Sequence, residues 1–167
     1  SMKDAKINLA SPGIFRTFQG EGELLGFPMV FVRLSGCSVG CKGCDTDYRH
    51  STQMTVEEIV REVSALSKGI EWIWVTGGEP TDQGNLVHLV SALKSVASVA
   101  LATSGVRPLN CEPDFLSVSP HLTPDKLTIH KADQVNMVFA LGSCLPSTWE
   151  TYDFSGFRHK YCTPINK

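Results

Sequence analysis

The sequence predicts an α/β fold with a mainly parallel sheet, built as one domain over residues 1–167. Two segments, Thr55 to Gly69 and Leu86 to Leu93, place apolar residues at helical spacing. Short runs rich in β-branched and aromatic residues, at Met29–Leu34, Glu71–Thr76 and Val99–Thr103, alternate with them. A chain of 167 residues that is 42% hydrophobic is long enough to bury one core.

The charge balance narrows the partners. A formal net charge of −2 gives no basic surface for nucleic acid or an anionic membrane, and no apolar run approaches the length that spans a bilayer. A small-molecule partner is expected instead. Six cysteines would suit a secreted disulfide scaffold, but no charged start followed by an apolar stretch precedes them, and three are crowded into one loop. A reducing cytoplasm suits those thiols. Ser1 reads as an addition before a natural start at Met2.

In chain order, residues 1–13 are polar and end in the breaker Ser11-Pro12-Gly13, so only a short strand around Ile7 to Leu9 is expected there. Ile14 to Phe18 alternates and runs into Gln19-Gly20-Glu21-Gly22-Glu23, which reads either as a solvated turn or as an amide and two carboxylates on a glycine-hinged loop. Met29 to Leu34 is a strand entered after Pro28, with apolar residues on both faces as a covered parallel sheet requires. Its one charge, Arg33, suits a bidentate grip on a carboxylate or a surface pair with Glu21 or Glu23.

Thr55-Val56-Glu57-Glu58 has the capping-box pattern, and Val56, Ile59, Val60, Val63 and Leu66 follow at helical spacing until Gly69. A strand over Glu71–Thr76 leads into Gly77-Gly78-Glu79-Pro80 and then into a helix with Leu86, Leu89, Val90 and Leu93 on one face. Strand followed by helix, repeated, predicts right-handed parallel crossovers. Further strands are expected at Val99–Thr103, Phe115–Val118, Gln134–Ala140 and Gly156–Cys162. Thr103, Ser104, Ser117 and Ser119 are then hydroxyls at strand ends, suited to ribose or carboxylate contacts or to turn and cap hydrogen bonds.

Ligands of open α/β sheets bind outside the carboxyl ends of strands, which is where two loops fall. In the first, Cys37, Cys41 and Cys44 are spaced C-x3-C-x2-C among Gly36, Gly40 and Gly43, so three thiolates can converge on one centre. Three ligands suit a [4Fe-4S] cluster with one open iron; zinc remains the alternative if Cys111, Cys144 or a histidine supplies a fourth. In the second, Gly77 and Gly78 let backbone approach an amino acid or ribose, and Glu79 offers a counter-charge to an ammonium.

The cysteine loop resembles that of radical S-adenosylmethionine enzymes. Together with Phe18 to Gly22, Phe31 to Leu34, the Cys44-Asp45-Thr46 ending, Thr76 to Pro80, Thr103-Ser104-Gly105 and Ser119-Pro120, it is similar to the 7-carboxy-7-deazaguanine synthase family over about residues 14–120. The resemblance implies an abbreviated, open radical-SAM partial barrel. It also implies a lyase of queuosine biosynthesis that contracts the ring of 6-carboxy-5,6,7,8-tetrahydropterin with loss of ammonia. A 5′-deoxyadenosyl radical from reductively cleaved S-adenosylmethionine would remove hydrogen from C6.

Carried onto this chain, Cys37, Cys41 and Cys44 hold the cluster and Thr46 binds Mg2+, a role for which a hard oxygen is suited. Gly77, Gly78, Glu79, Thr103, Ser104 and Ser119 cradle S-adenosylmethionine, while Gln19, Gly20, Glu21, Arg33, Thr76 and Pro164 contact the pterin. The resemblance further implies a flavodoxin- or ferredoxin-type electron donor and a homodimer. Asp45 and Asp47 read equally as loop caps.

Three features depart from the family pattern. The stretch from Ser119 to Gln134 looks too short for a full crossover helix, His121 stands where lysine is usual, and Thr163 stands where glutamine is frequent. Cys111, Cys144 and Cys162 are widely spaced and read as small buried residues. Two other readings remain at this level. One is a small radical S-adenosylmethionine activase that makes a glycyl radical on a partner protein, which short length favours and Gln-Gly-Glu-Gly does not. The other is a non-catalytic zinc or iron–sulfur module.

Overall fold

In the computed structural model of the chain, the structure describes residues 1–36, 51–140 and 147–165. After a 3-10 turn at Met2–Asp4, the elements are β1 (Lys6–Phe18), β2 (Pro28–Leu34), β3 (Ser51–Thr55), α1 (Val56–Leu66), β4 (Trp72–Gly77) and α2 (Leu86–Leu93). They continue with β5 (Ser98–Thr103), β6 (Phe115–Val118), β7 (Ala132–Ala140), α3 (Ser147–Glu150) and β8 (Phe157–Ile165). Among the described residues they form an eight-stranded sheet in the order β3-β1-β2-β4-β5-β6-β7-β8. From β2 to β8 every pairing is parallel, and β1 runs antiparallel to both its neighbours. The expected α/β fold with an open, mainly parallel sheet is therefore present.

The alternation of side chains along the strands separates two faces. Val30, Val32 and Leu34 of β2, Ile73 and Val75 of β4, and Val99 and Leu101 of β5 face α1 and α2 in one buried cluster. The helices meet them with Ile59 and Val63 from α1 and Leu86, Leu89, Val90 and Leu93 from α2. Burial of each such side chain is worth about 1.5–3 kcal/mol, so these stripes fix how the helices lie on the sheet. Thr55 caps α1 as its sequence predicts. The Thr55 Oγ1 accepts from Glu58 N and the Glu58 carboxylate accepts from Thr55 N. The helix stops at Leu66 with Ser67 as its cap, before the positive-φ Gly69 that closes the turn.

The other face is aromatic. Met29, Trp74, Ala100 and Phe115 are buried there with Leu24, and Phe31, Trp72 and Ala102 pack against them. The small Ala100 sits inside this cluster, so close packing accounts for it.

Beyond β5 the helical layer thins. Between β6 and β7 the described chain holds only a 3-10 turn at Pro124–Lys126, in agreement with the expected absence of a full crossover helix. Leu127 and Ile129 from that loop, with Trp149 from α3, cover Val118, Val135, Met137 and Phe157 instead.

Three expectations are corrected and one strand is added. Ile7–Leu9 and Ile14–Phe18 belong to one strand, β1, which passes through the cis Ser11-Pro12 bond and Gly13 at φ 74°. The breaker lies at a bulge between Leu9 and Ile14, where the chain leaves its pairing with β3 and takes up its pairing with β2. Proline and glycine are tolerated there because no ladder bond is required of them. Strand β3, Ser51-Thr-Gln-Met-Thr55, carries no expectation because it is an edge strand with little apolar content. Strand β8 runs on to Ile165, past Cys162, and accommodates Pro164 because it too is an edge. Cys162 is exposed and Cys111 half-buried, so only Cys111 fits the buried reading, while Cys144 lies outside the described residues.

Candidate active site at the carboxyl ends of the strands

The predicted metal ligands Cys37, Cys41, Cys44 and Thr46, together with Asp45 and Asp47, lie outside the described residues. The base of their loop is described. Gly78 N donates to Leu34 O at 2.9 Å and Glu79 N to Gly36 O at 2.8 Å, which stitches the Gly77–Glu79 loop to the residue preceding Cys37. The Gly77–Glu79 loop is thus bonded to the end of β2 and to Gly36 beyond it. Gly77 makes this approach possible: at φ 129°, a Cβ on it would come within 2.0 Å of Leu34 O. Gln83 reinforces the junction, donating from Nε2 to Asn8 O at 2.8 Å and Ser35 O at 3.1 Å and accepting from Asn8 N at 3.0 Å.

Glu79 is only 1% exposed, and it draws the next strand end to this junction. Its Oε1 accepts from Ser104 N at 2.7 Å and Ser104 Oγ at 2.8 Å. Its Oε2 accepts from Thr81 N at 3.0 Å, Thr103 Oγ1 at 2.7 Å and the Thr81 hydroxyl. Five donors meet one carboxylate, so the charge is offset without a cation and the carboxylate shapes the rim around it. Ser119 joins through its backbone, with Ser119 N donating to Thr103 O at 2.8 Å. Gly77, Gly78, Glu79, Thr103, Ser104 and Ser119 are thereby brought together. This rim of close backbone and strand-end hydroxyls has the chemistry for an amino-acid or ribose ligand.

Below the rim lies the aromatic face. Phe15 and Phe31 have ring centroids 5.4 Å apart, and Phe31 stacks on Trp74 at 6.2 Å. Arg33 and Thr76 are register partners at the top of this wall, and the Arg33 guanidinium lies 5.4 Å from the Phe15 ring centroid. Among the described residues Arg33 pairs with neither Glu21 nor Glu23. Glu23 instead accepts from the Tyr161 hydroxyl and stands 3.4 Å from His159 Nδ1. The hydrogen bond that Tyr161 donates to that carboxylate holds its phenol above the usual pKa, with desolvation and the carboxylate's charge acting in the same direction.

The loop from Gln19 to Phe27 folds over the amino-terminal end of this face as a floor. Leu24 is buried in the aromatic cluster, and the loop closes on itself through Gln19 N to Phe27 O at 2.9 Å and Gly26 N to Gln19 O at 2.8 Å. Gln19 is buried, with Oε1 accepting from Gly20 N and Nε2 lying 3.8 Å from Met29 Sδ; Gly20 is exposed and Glu21 half-buried.

Arg33 and Thr76 thus stand together at the carboxyl ends of β2 and β4, and Gln19, Gly20 and Glu21 in the loop that leads into β2. Pro164 does not join them. Thr163 faces Asn136, so alternation turns Pro164 to the opposite, exposed side of edge strand β8.

Sequence reasoning missed Gln134 and Asn136. Gln134, 1% exposed, accepts from Glu23 N at 2.9 Å and donates to Ser117 Oγ at 2.8 Å, so it ties the floor to β6 and β7. The signal was present as period two: Gln134 and Asn136 alternate with Val135 and Met137, which belong to the outer cluster. A polar inner face on a buried strand has that pattern.

The chain matches the Radical SAM superfamily over residues 31–132. It is 44% identical over 120 residues to the 7-carboxy-7-deazaguanine synthase of Pyrobaculum aerophilum, covering 66% of this chain and 54% of that one. With the synthase of the same name from Rhodopirellula baltica it shares 38% over 133 residues, covering 73% and 51%. The chain thus spans about half the length of these two relatives. With that of Bacteroides thetaiotaomicron it shares 39% identity over 129 residues, covering 75% of this chain and 68% of the relative. The crystal structure of QueE from Escherichia coli superposes with a TM-score of 0.77 at 22% identity, covering 96% of this chain and 84% of that one, which shows the fold of an open radical-SAM partial barrel. The family implies a [4Fe-4S] cluster and S-adenosylmethionine, which the rim fits. By these matches the chain belongs to the radical SAM superfamily and, within it, to the 7-carboxy-7-deazaguanine synthase family.

Proposed function

We propose that the protein is a radical SAM lyase that converts 6-carboxy-5,6,7,8-tetrahydropterin into 7-carboxy-7-deazaguanine with release of ammonia, in deazapurine and queuosine biosynthesis. The observation that carries this reading is the aromatic wall of Phe15, Phe31 and Trp74 with the Arg33 guanidinium over the Phe15 ring. A flat bicyclic ring suits the aromatic wall. A ring carboxylate suits Arg33, next to Thr76, and a guanidine-like edge suits the Gln19 amide and Glu21 carboxylate.

Cys37, Cys41 and Cys44 would hold the [4Fe-4S] cluster. The backbone of Gly77 and Gly78 with Thr103, Ser104 and Ser119 would hold S-adenosylmethionine, and Glu79 keeps that rim in shape. With both bound, the site gains one-electron cleavage of a sulfonium and hydrogen-atom abstraction from the substrate. The chain's own work is to present the pterin C6–H to the rim and to keep solvent from the wall. Thr46 would supply a hard oxygen for Mg2+.

Residues 1–167 serve as one domain in the cytoplasm, with electrons from a flavodoxin or ferredoxin. No described helix is long and apolar enough to cross a membrane. The exposed Phe18, Leu25 and Phe27 at the end of the β1–β2 hairpin support a homodimer, since such side chains gain by being covered.

The test is anaerobic incubation of cluster-loaded, reduced protein with S-adenosylmethionine, Mg2+ and the carboxytetrahydropterin, with ammonia and the deazapurine measured. Equal yields of both support the assignment. Cofactor cleavage with neither product would reject the substrate.

A further inference from the structure

The inner face of β7 carries two carboxamides, and the fold uses them differently. Gln134 spends both ends of its amide within the chain, on Glu23 N and Ser117 Oγ. Asn136, two residues nearer the carboxyl end on the same face, is 0% exposed. Its Oδ1 accepts from Thr163 Oγ1 at 2.7 Å, and its Nδ2 is buried with no hydrogen-bond partner. A buried donor left unpaired is costly, so a fold that retains one on the inner face of β7 has a use for it. Thr163 occupies the oxygen and thereby turns the amino group away from β8.

We propose that Asn136 is a substrate-positioning residue that donates from Nδ2 to the lactam carbonyl oxygen of the pterin ring; this rests on the substrate reading above. Arg33, on β2, takes the ring carboxylate, so a donor on β7, across the sheet, is left for the acceptor at another edge of the ring. Two grips at separated edges fix the rotation of a flat ring on its aromatic wall, which stacking alone does not. Thr163 acts through Asn136 by fixing which end of the amide faces inward.

The experiment compares two probes on cluster-loaded protein with S-adenosylmethionine: 6-carboxypterin, which carries the lactam carbonyl, and 2,4-diaminopteridine-6-carboxylate, which carries an amino group in its place. Dissociation constants are read from pteridine fluorescence for the unaltered protein and for Asn136→Asp. That variant keeps an oxygen for Thr163 and replaces the donor by an acceptor. The unaltered protein should prefer 6-carboxypterin, and Asn136→Asp should shift the preference toward the diamino probe by about tenfold or more, as one hydrogen bond exchanged for a mismatch predicts. Binding of S-adenosylmethionine should be unchanged. Because the readout is a ratio of two ligands on one protein, partial loss of stability does not produce it. An unshifted ratio, or lost cofactor binding with the ratio intact, would overturn the role of Asn136 alone. If the unaltered protein binds neither probe, the substrate reading falls first and this inference with it.

Discussion

The amide of Glu79 donates to the carbonyl oxygen of Gly36 across 2.8 Å, so the residue whose carboxylate gathers Thr81, Thr103 and Ser104 is bonded to the residue that precedes Cys37. This contact couples two segments 43 positions apart, counted as 79 minus 36. Whatever disturbs one should be felt in the other.

Gly77→Ala tests that coupling. The new Cβ would meet the backbone oxygen of Leu34 at 2.0 Å, where no side-chain rotation relieves it, and φ 129° is itself unfavourable for alanine. A loss of about 3 kcal/mol or more in urea unfolding is expected, with reduced iron content after reconstitution. Gly20→Ala, with nothing within 4 Å of its added carbon, should leave stability nearly unchanged.

Glu79→Gln replaces one accepting oxygen by a group that donates toward donors already present, either Ser104 N–H or Thr81 N–H. About 2 kcal/mol of stability should be lost, and S-adenosylmethionine should bind about tenfold more weakly as the Thr103–Ser104 segment loosens. Isothermal titration of cluster-loaded protein measures the second effect.

Gln134→Ala removes the tie between floor and sheet. The Glu23 amide loses its partner in a part-buried place and the Ser117 hydroxyl in a buried one, at a cost of about 1–3 kcal/mol. Since the floor carries Gln19 and Glu21, KM for the pterin should rise while cluster content stays intact.

Arg33→Ala and Cys41→Ala separate substrate binding from cluster binding. The arginine variant should keep its brown colour and lose about 10- to 100-fold in kcat/KM for the pterin, as the removal of a charge-assisted pair predicts. The cysteine variant should be colourless and should not cleave the cofactor.

Burial raises the Cys111 thiol from its ordinary 9.0 to about 11, so at pH 8 only about a thousandth of it is thiolate. Exposed Cys162 should be alkylated first, and Cys111 should catch up only as pH approaches 11, as read by peptide mass spectrometry. A pKa raised on folding favours the native state below the ordinary value. That contribution should therefore fade as pH climbs from about 9 toward 11.

Local chemistry was legible in the sequence because it depends on neighbours a few residues away. The Thr55–Glu58 capping box, the stripe Leu86-Leu89-Val90-Leu93 and strand Phe115–Val118 each stand where their pattern puts them. So does the Gly77–Glu79 loop at the end of β4, since ligands of such sheets bind outside the carboxyl ends of strands. Tertiary structure alone decided what depends on pairing across the chain. Ser11-Pro12-Gly13 interrupts a local pattern and yet lies within β1, because two different strands hold its halves. Thr103 and Ser104, read singly, are strand-end hydroxyls; the Glu79 carboxylate between two loops makes them a rim. Asn136 reads as one polar residue in a strand, and only the fold, by occupying its oxygen with Thr163 and burying its nitrogen unpaired, leaves it a donor on the inner face of β7.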